Sequence, residues 1–465
     1  MPQIQFAVQA YKARALPVAA QEVVNLFAEA NPPDAKSPVT LLGSPGIKPF
    51  SIPGSGPIRG LHTFNGDLYA VSGGELYLIA SDGSSTLIGA IAGTGRVDME
   101  DNGDGGSQMI VVNGVEGYIW DGTTLTEITD EDFRQSEVVA FQDGYFLLIE
   151  KGTNNWFVSN LNNGLAYLGT DLATAEGASD RLVGLISNHR EVWLFGEKTT
   201  EIWVNTGATG FPFERIPGFF AERGCGAARS IERIDNTIMW LGEDRIVYRA
   251  EGYTPTRVSQ HAIEQAIEGY SVISDAFAIV HTLAGHKFYC LTFPTEGVTW
   301  CYDVATQLWH ERRSAGTRWL ANAFAEAYGK TFVGHFDSNQ VGEIDWDTFT
   351  EFGETMIGIA TSPTIHEDRK RIFHRRFELD IESGVGLTTG QGSDPKVVLD
   401  WSNDGGRTFS QRKLPRSMGK KGEHLKRLRW RRLGKARNRI YRITISDPVK
   451  RSIVAAHAEL AAGTS

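Results

Sequence analysis

The chain has 465 residues, 41 % of them hydrophobic, enough for a sizeable core and for several domains or one large repeat body with an appendage. It contains no run of about 18 apolar residues, and its start, Met1-Pro2-Gln3-Ile4-Gln5-Phe6, has no charged region ahead of an apolar stretch, so neither a membrane span nor a signal peptide is expected. Charge is unevenly divided: residues 1–353 hold 23 basic and 44 acidic side chains for −21, and residues 354–465 hold 23 and 12 for +11, which argues for two bodies with different neighbours.

Residues 1–50 read as an extended arm, because Pro32-Pro33 and Ser44-Pro45-Gly46 break any long helix. From 51 to 353 one phrase recurs: apolar strand, tight turn, apolar strand, Gly-rich turn, apolar strand. Its clearest copy is Leu61-His62-Thr63-Phe64, turn Asn65-Gly66, Leu68-Tyr69-Ala70-Val71, turn Gly73-Gly74, Leu76-Tyr77-Leu78-Ile79, turn Asp82-Gly83, Thr86-Leu87-Ile88. Four short strands per copy at a period of roughly 40 residues mark the blades of a β-propeller. Seven copies can be counted. The last, Trp319 to about Gly353, is the weakest, so six blades is the alternative. One helix interrupts the pattern, with Ser259 as its expected N-cap and Ile263, Ala266, Ile267 and Tyr270 on its apolar face. Residues 354–465 predict a separate basic, β-sandwich-like domain, with strands around Phe377–Ile381, Val397–Trp401 and Ile440–Ile445 and a mobile loop from Pro415 to His424. The fold class is therefore all-β.

Little catalytic chemistry emerges. Ser402-Asn403-Asp404-Gly405-Gly406-Arg407-Thr408-Phe409 matches the Asp-box pattern found in several copies in sialidases, but one copy reads as a turn device. Glycoside hydrolysis needs a paired acid and base; Glu100-Asp101 and Asp130-Glu131-Asp132 read as solvated loop residues. Cys225, Cys290 and Cys301 form an odd set without metal-ligand spacing, which suits a reduced protein made in a cytoplasm. Neither His281, His286 and His310 beside Cys290 and Cys301 nor any other set predicts a metal or cofactor. The strongest local signal is basic: Lys426, Arg427, Arg429, Arg431, Arg432, Lys435 and Arg437, interleaved with Trp430 and Leu433. Such a patch neutralises phosphates or docks an acidic protein surface. The lack of stacking aromatics favours protein docking.

The chain resembles the packaged-DNA stabilisation proteins of short-tailed bacteriophages, also called tail accessory, tail hub or nozzle proteins. The resemblance rests on Ser44-Pro45-Gly46-Ile47, Gly73-Gly74-Glu75-Leu76-Tyr77, Gly93-Thr94-Gly95-Arg96-Val97-Asp98-Met99 and Asn155-Trp156-Phe157-Val158-Ser159-Asn160-Leu161. It continues through Phe195-Gly196, Thr206-Gly207-Ala208-Thr209, Leu428-Arg429-Trp430-Arg431-Arg432-Leu433-Gly434 and Ile445-Ser446-Asp447-Pro448-Val449. It implies a homo-hexameric virion tail component docked beneath the head-to-tail adaptor ring. With a tail needle or plug protein, and in a tail that also carries fibres or tailspikes, it would close the channel through which DNA passes without sequence-specific binding. No catalytic residues carry over. The alternative is a glycan-binding or glycoside-hydrolysing propeller, suggested by the Asp box.

Overall fold

The computed structural model describes residues 3–4, 6–103, 106–178, 180–367 and 370–463. The recurring phrase folds into seven four-stranded antiparallel sheets. Blades one to six run Ile58–Phe64 to Ser85–Ala90, Asp98–Asp101 to Leu125–Glu127, Val139–Gln142 to Asn163–Thr174, Leu182–Asn188 to Phe213–Arg215, Glu232–Ile234 to Thr254–Arg257, and Phe277–Leu283 to Leu308–Ser314. Blade seven takes Ala321–Ala327, Lys330–His335 and Val341–Asp345 and completes itself with Gly46–Ser51 from the arm. The first strands of the blades pack neighbour to neighbour around the axis, with the short 3-10 turn Ala228–Ser230 ahead of blade five making the contact to blade four.

Turn chemistry explains why the phrase makes hairpins. Between the first and second strands of six blades, two consecutive residues have positive φ: Asn65-Gly66, Asp143-Gly144, His189-Arg190, Asp235-Asn236, Ala284-Gly285 and Tyr328-Gly329. Paired positive φ defines the turn whose twist matches that of the flanking strands. Each blade is covered on both sides, so its middle strands are apolar on both faces. Met109–Val112 is buried at every residue. Seven apolar clusters fill the seven gaps between blades, and each fully buried large side chain contributes about 1.5–3 kcal/mol.

An eighth cluster is the core of the C-terminal sandwich, built on Phe377, Leu399, Trp430, Tyr441 and Ile443. Its two sheets are completed by the arm. Leu26–Ala30 pairs with Val39–Gly43, which pairs in turn with Ser452–Ala462. Val23–Val24 lies between Leu308–Ser314 of blade six and Gly358–Thr361 of the sandwich, so one eleven-stranded sheet runs from propeller into sandwich. A buried ion pair guards this junction. Arg312 donates to Glu351 at 3.1 Å and to the Pro45 carbonyl at 3.0 Å, Ser314 donates to the same carboxylate, and the guanidinium sits 4.3 Å from the Trp319 ring centroid.

Three local expectations are corrected. The helix spans His261–Glu268 with Gln260 at its N-cap. Ser259 instead bonds the Val247 N–H and the Glu264 carboxylate, because it is held at the end of blade five. Pro415 lies in a strand, Leu414–Ser417, paired with Lys396–Leu399, and Met418 behind it is fully buried, so the start of the expected mobile loop is sheet. Glu100 and Asp101 lie on the innermost strand of blade two, where charged side chains face a cavity.

Candidate functional site

The basic run forms a strand with alternating faces. In Leu428–Arg431, Leu428 and Trp430 enter the sandwich core, and the Trp430 indole N–H donates to the Leu414 carbonyl at 2.8 Å. Arg429 and Arg431 therefore point outward. Arg429 and Arg427 converge on Glu378 at 2.8 and 3.4 Å, and Lys426 pairs with Glu423 at 3.2 Å. Arg432, at positive φ, ends the strand, and the Lys435 ammonium lies 5.9 Å from the ring centroid of Phe373, which is 45 % exposed. Arg431, Arg432 and Arg437 are exposed and have no side-chain partner among the described residues. Arg371 and Arg375 are exposed beside Phe373. The structure thus gathers the seven basic residues along one edge of the sandwich, uses three in internal pairs, and adds Arg375 from the neighbouring strand Ile372–Ile381 and Arg371 just ahead of it. Cross-strand register supplies these additions, and a linear reading of the sequence does not contain it.

The second candidate is the propeller axis. A cavity of about 540 Å³ is lined by the first strand of every blade. A cavity this small cannot hold a duplex, whose major groove alone is about 12 Å wide. At the end where the inner strands begin, arginines reach across the axis. Arg96, approaching blade two, donates to Asn322 of blade seven at 2.7 Å and lies 3.7 Å from the Phe277 ring centroid of blade six. Arg229, leading into blade five, donates to Asp98 of blade two at 3.1 Å and to the Glu137 carbonyl beside blade three at 2.9 Å. Buried Arg59 donates to the carbonyls of Gly73, Ile91, Ala92 and Gly95, joining blade one to the connection that follows it. Burial pushes the Glu232 carboxyl up to about 8, helped by Asp98, so it carries its proton at neutral pH. Burial also raises the Glu100 carboxyl. Near the other end of the inner strands, His62, Glu100 and Asp101 come together. Sequence reading missed this group because its members are almost 40 residues apart; their equivalent places in consecutive repeats are the signal that could have found it.

The Asp box is a self-satisfied turn. Ser402 donates to Asp404 at 2.6 Å and accepts the Gly406 N–H at 2.9 Å, while Thr408 donates to Asp404 through its hydroxyl at 2.6 Å and its N–H at 3.0 Å. These bonds hold the Asp404 carboxyl well below the usual carboxylate range. Cys290 and Cys301 face each other on adjacent strands inside the core between blades six and seven.

A propeller whose axis is bridged by arginines at one end, joined to a sandwich with a basic edge, offers interaction surfaces, and comparison with known families gives the class. Residues 10–349 match the family described as bacteriophage P22 Gp10, beta-propeller, and residues 359–461 match bacteriophage P22 Gp10, beta-sandwich. The chain belongs to the bacteriophage P22 Gp10 family of phage tail structural proteins, which makes it a component of the virion tail. No curated protein matches the chain. Among solved structures it is similar to PorZ, a surface component of the type-IX secretion system of Porphyromonas gingivalis, with 10 % identity, a TM-score of 0.39 and coverage of 81 % of this chain and 46 % of that one. It is also similar to the extracellular domain of the putative one-component system BT4673 from B. thetaiotaomicron (9 %, 0.44, 88 % and 59 %) and to YCF48 from Cyanidioschyzon merolae (13 %, 0.43, 64 % and 98 %).

Proposed function

We propose that the protein is the hub or nozzle subunit of a short phage tail. Made in the host cytoplasm, it would assemble as a homo-hexamer beneath the head-to-tail adaptor ring and, with a needle or plug protein, hold packaged DNA in the capsid. Fibres or tailspikes would attach around the same tail. The observation that carries this reading is family membership in both bodies of the chain. The narrow propeller axis, bridged by arginines at one end, adds a constraint: DNA would travel through the opening between subunits, never through a propeller. The acidic remainder of the chain, at −21, suits such an opening, because a polyanion slides past acidic walls without sticking. The basic sandwich edge then needs an acidic partner, supplied by the adaptor or by a neighbouring subunit. The work is mechanical, with no bond made or broken.

Particles assembled without the protein test this reading. They should package DNA and then lose it, measured as DNA per particle over time after purification. Particles lacking the protein that keep their DNA as well as wild type would refute it.

A further inference from the structure

His62 Nε2 lies 2.8 Å from Asp101 Oδ2, joining blade one to blade two, and their side chains are 19 % and 25 % exposed. With a carboxylate oxygen of Glu100, the three candidate ligand atoms all lie within 4.8 Å of one another. Consecutive residues of a strand ordinarily face opposite ways. Here the strand ends at Asp101, whose other oxygen accepts the Gly103 N–H at 2.8 Å, and this turn brings both carboxylates to the same imidazole. Among the described residues no lysine or arginine forms an ion pair with Glu100; it accepts only a long bond, 3.3 Å, from the Asp101 N–H. Two carboxylates share one imidazole, with the Arg233 guanidinium of blade five also acting on Glu100, and His62, Glu100 and Arg233 line the axial cavity, which has room for water.

We propose that His62, Glu100 and Asp101 bind one divalent first-row transition-metal ion of the zinc or manganese class. One imidazole nitrogen and two carboxylate oxygens suit these borderline-to-hard ions and not soft copper(I). Three protein ligands leave open positions, which cavity water fills. On binding, the His62–Asp101 hydrogen bond is replaced by two metal–ligand bonds of about 2.0–2.2 Å, and the imidazole coordinates in its neutral form. The ion clips the inner strands of blades one and two together, a structural role compatible with the proposed tail function and independent of it.

The test uses the full chain, stripped with a chelator and titrated with ZnCl2 by calorimetry. One ion per chain is expected, with affinity reduced on the order of tenfold or more in Glu100→Gln and in His62→Gln. Glu326→Gln, in the same cavity but outside the group, should bind as wild type does. Zinc should raise the melting temperature of the wild-type chain and, at the same concentration, raise that of Glu100→Gln less. A second measurement needs no variant: zinc should protect His62 from diethylpyrocarbonate, read by peptide mass. Absence of saturable one-to-one binding, wild-type affinity in the His62 and Glu100 variants, or equal modification of His62 with and without zinc would each overturn the assignment.

Discussion

The Arg312–Glu351 pair is the sharpest test of how the arm is locked to the propeller. Both side chains are almost completely buried, at 1 % and 2 % exposure, and the arginine also holds the Pro45 carbonyl just ahead of the strand that closes blade seven. Replacing Glu351 by Ala leaves a guanidinium buried and only partly compensated, and Arg312→Ala strands the carboxylate; either single change should cost about 3–5 kcal/mol. The double variant Arg312→Met/Glu351→Leu removes both charges and fills the space, leaving Ser314 and the Pro45 carbonyl short of a partner and buried Arg451 without the nearby Glu351 charge. It should cost less than either single change, because an intact buried pair is close to neutral against an apolar substitute. Denaturant midpoints for wild type, both single variants and the double variant complete the comparison. A double variant whose loss equals the sum of the two single losses would show that the charges act independently and would refute this account of the junction.

Replacing Arg431, Arg432 and Arg437 by Ser should weaken association with the acidic partner while leaving the melting temperature unchanged. The difference from wild type, measured by sedimentation, should be greatest at low salt and shrink as salt rises, since exposed pairs contribute about 0–1 kcal/mol each and are screened. Arg429→Ser should instead lower stability, because Glu378 loses its closest cation. Burial holds the imidazoles of His310 and His374 down to about 3, below the ordinary value of about 6.5. The unfolded chain therefore binds protons that the folded chain refuses at these two sites, so their contribution to stability should be flat above about pH 6.5 and fall on acidification towards pH 4, by about 3 kcal/mol or less per histidine. His310→Gln should flatten that slope in denaturant titrations across the range. Asp404→Ala should open the Ser402–Thr408 turn to trypsin at Arg407, seen as faster nicking at that bond in limited proteolysis.

The blades were legible because their information is local: an apolar run, two residues able to take positive φ, and another apolar run. What escaped was non-local. The seventh copy looks weak in sequence because its fourth strand is Gly46–Ser51, almost 300 residues upstream, and a repeat search along the chain cannot borrow it. The sandwich strands around Phe377, Leu399 and Ile443 could be read, but Val23–Val24, Leu26–Ala30 and Val39–Gly43, which complete its sheets, carry no mark of their destination. Glu100-Asp101 misled for a physical reason: charge usually means loop, but an inner propeller strand faces a wet cavity and tolerates it. The basic run was plain as composition, whereas its division into paired and free cations depends on Glu378 lying across the register.

The borrowed strand also imposes a schedule. Gly46–Ser51 leaves the ribosome early, yet its partner Val341–Asp345 follows only after roughly 290 more residues, which at about 5–20 residues per second is roughly 15–60 s of synthesis. Leu42 waits longer still, for Ser452 near the far end of the chain. Throughout that interval the early strands present unsatisfied edges, templates for pairing with another nascent chain. Joining the two ends also costs roughly 5 kcal/mol in loop-closure entropy. The ring therefore closes only after all six earlier blades have been made and before the arm can finish the sandwich sheet, and a chain truncated before Val341 would retain six blades and no means of closing them.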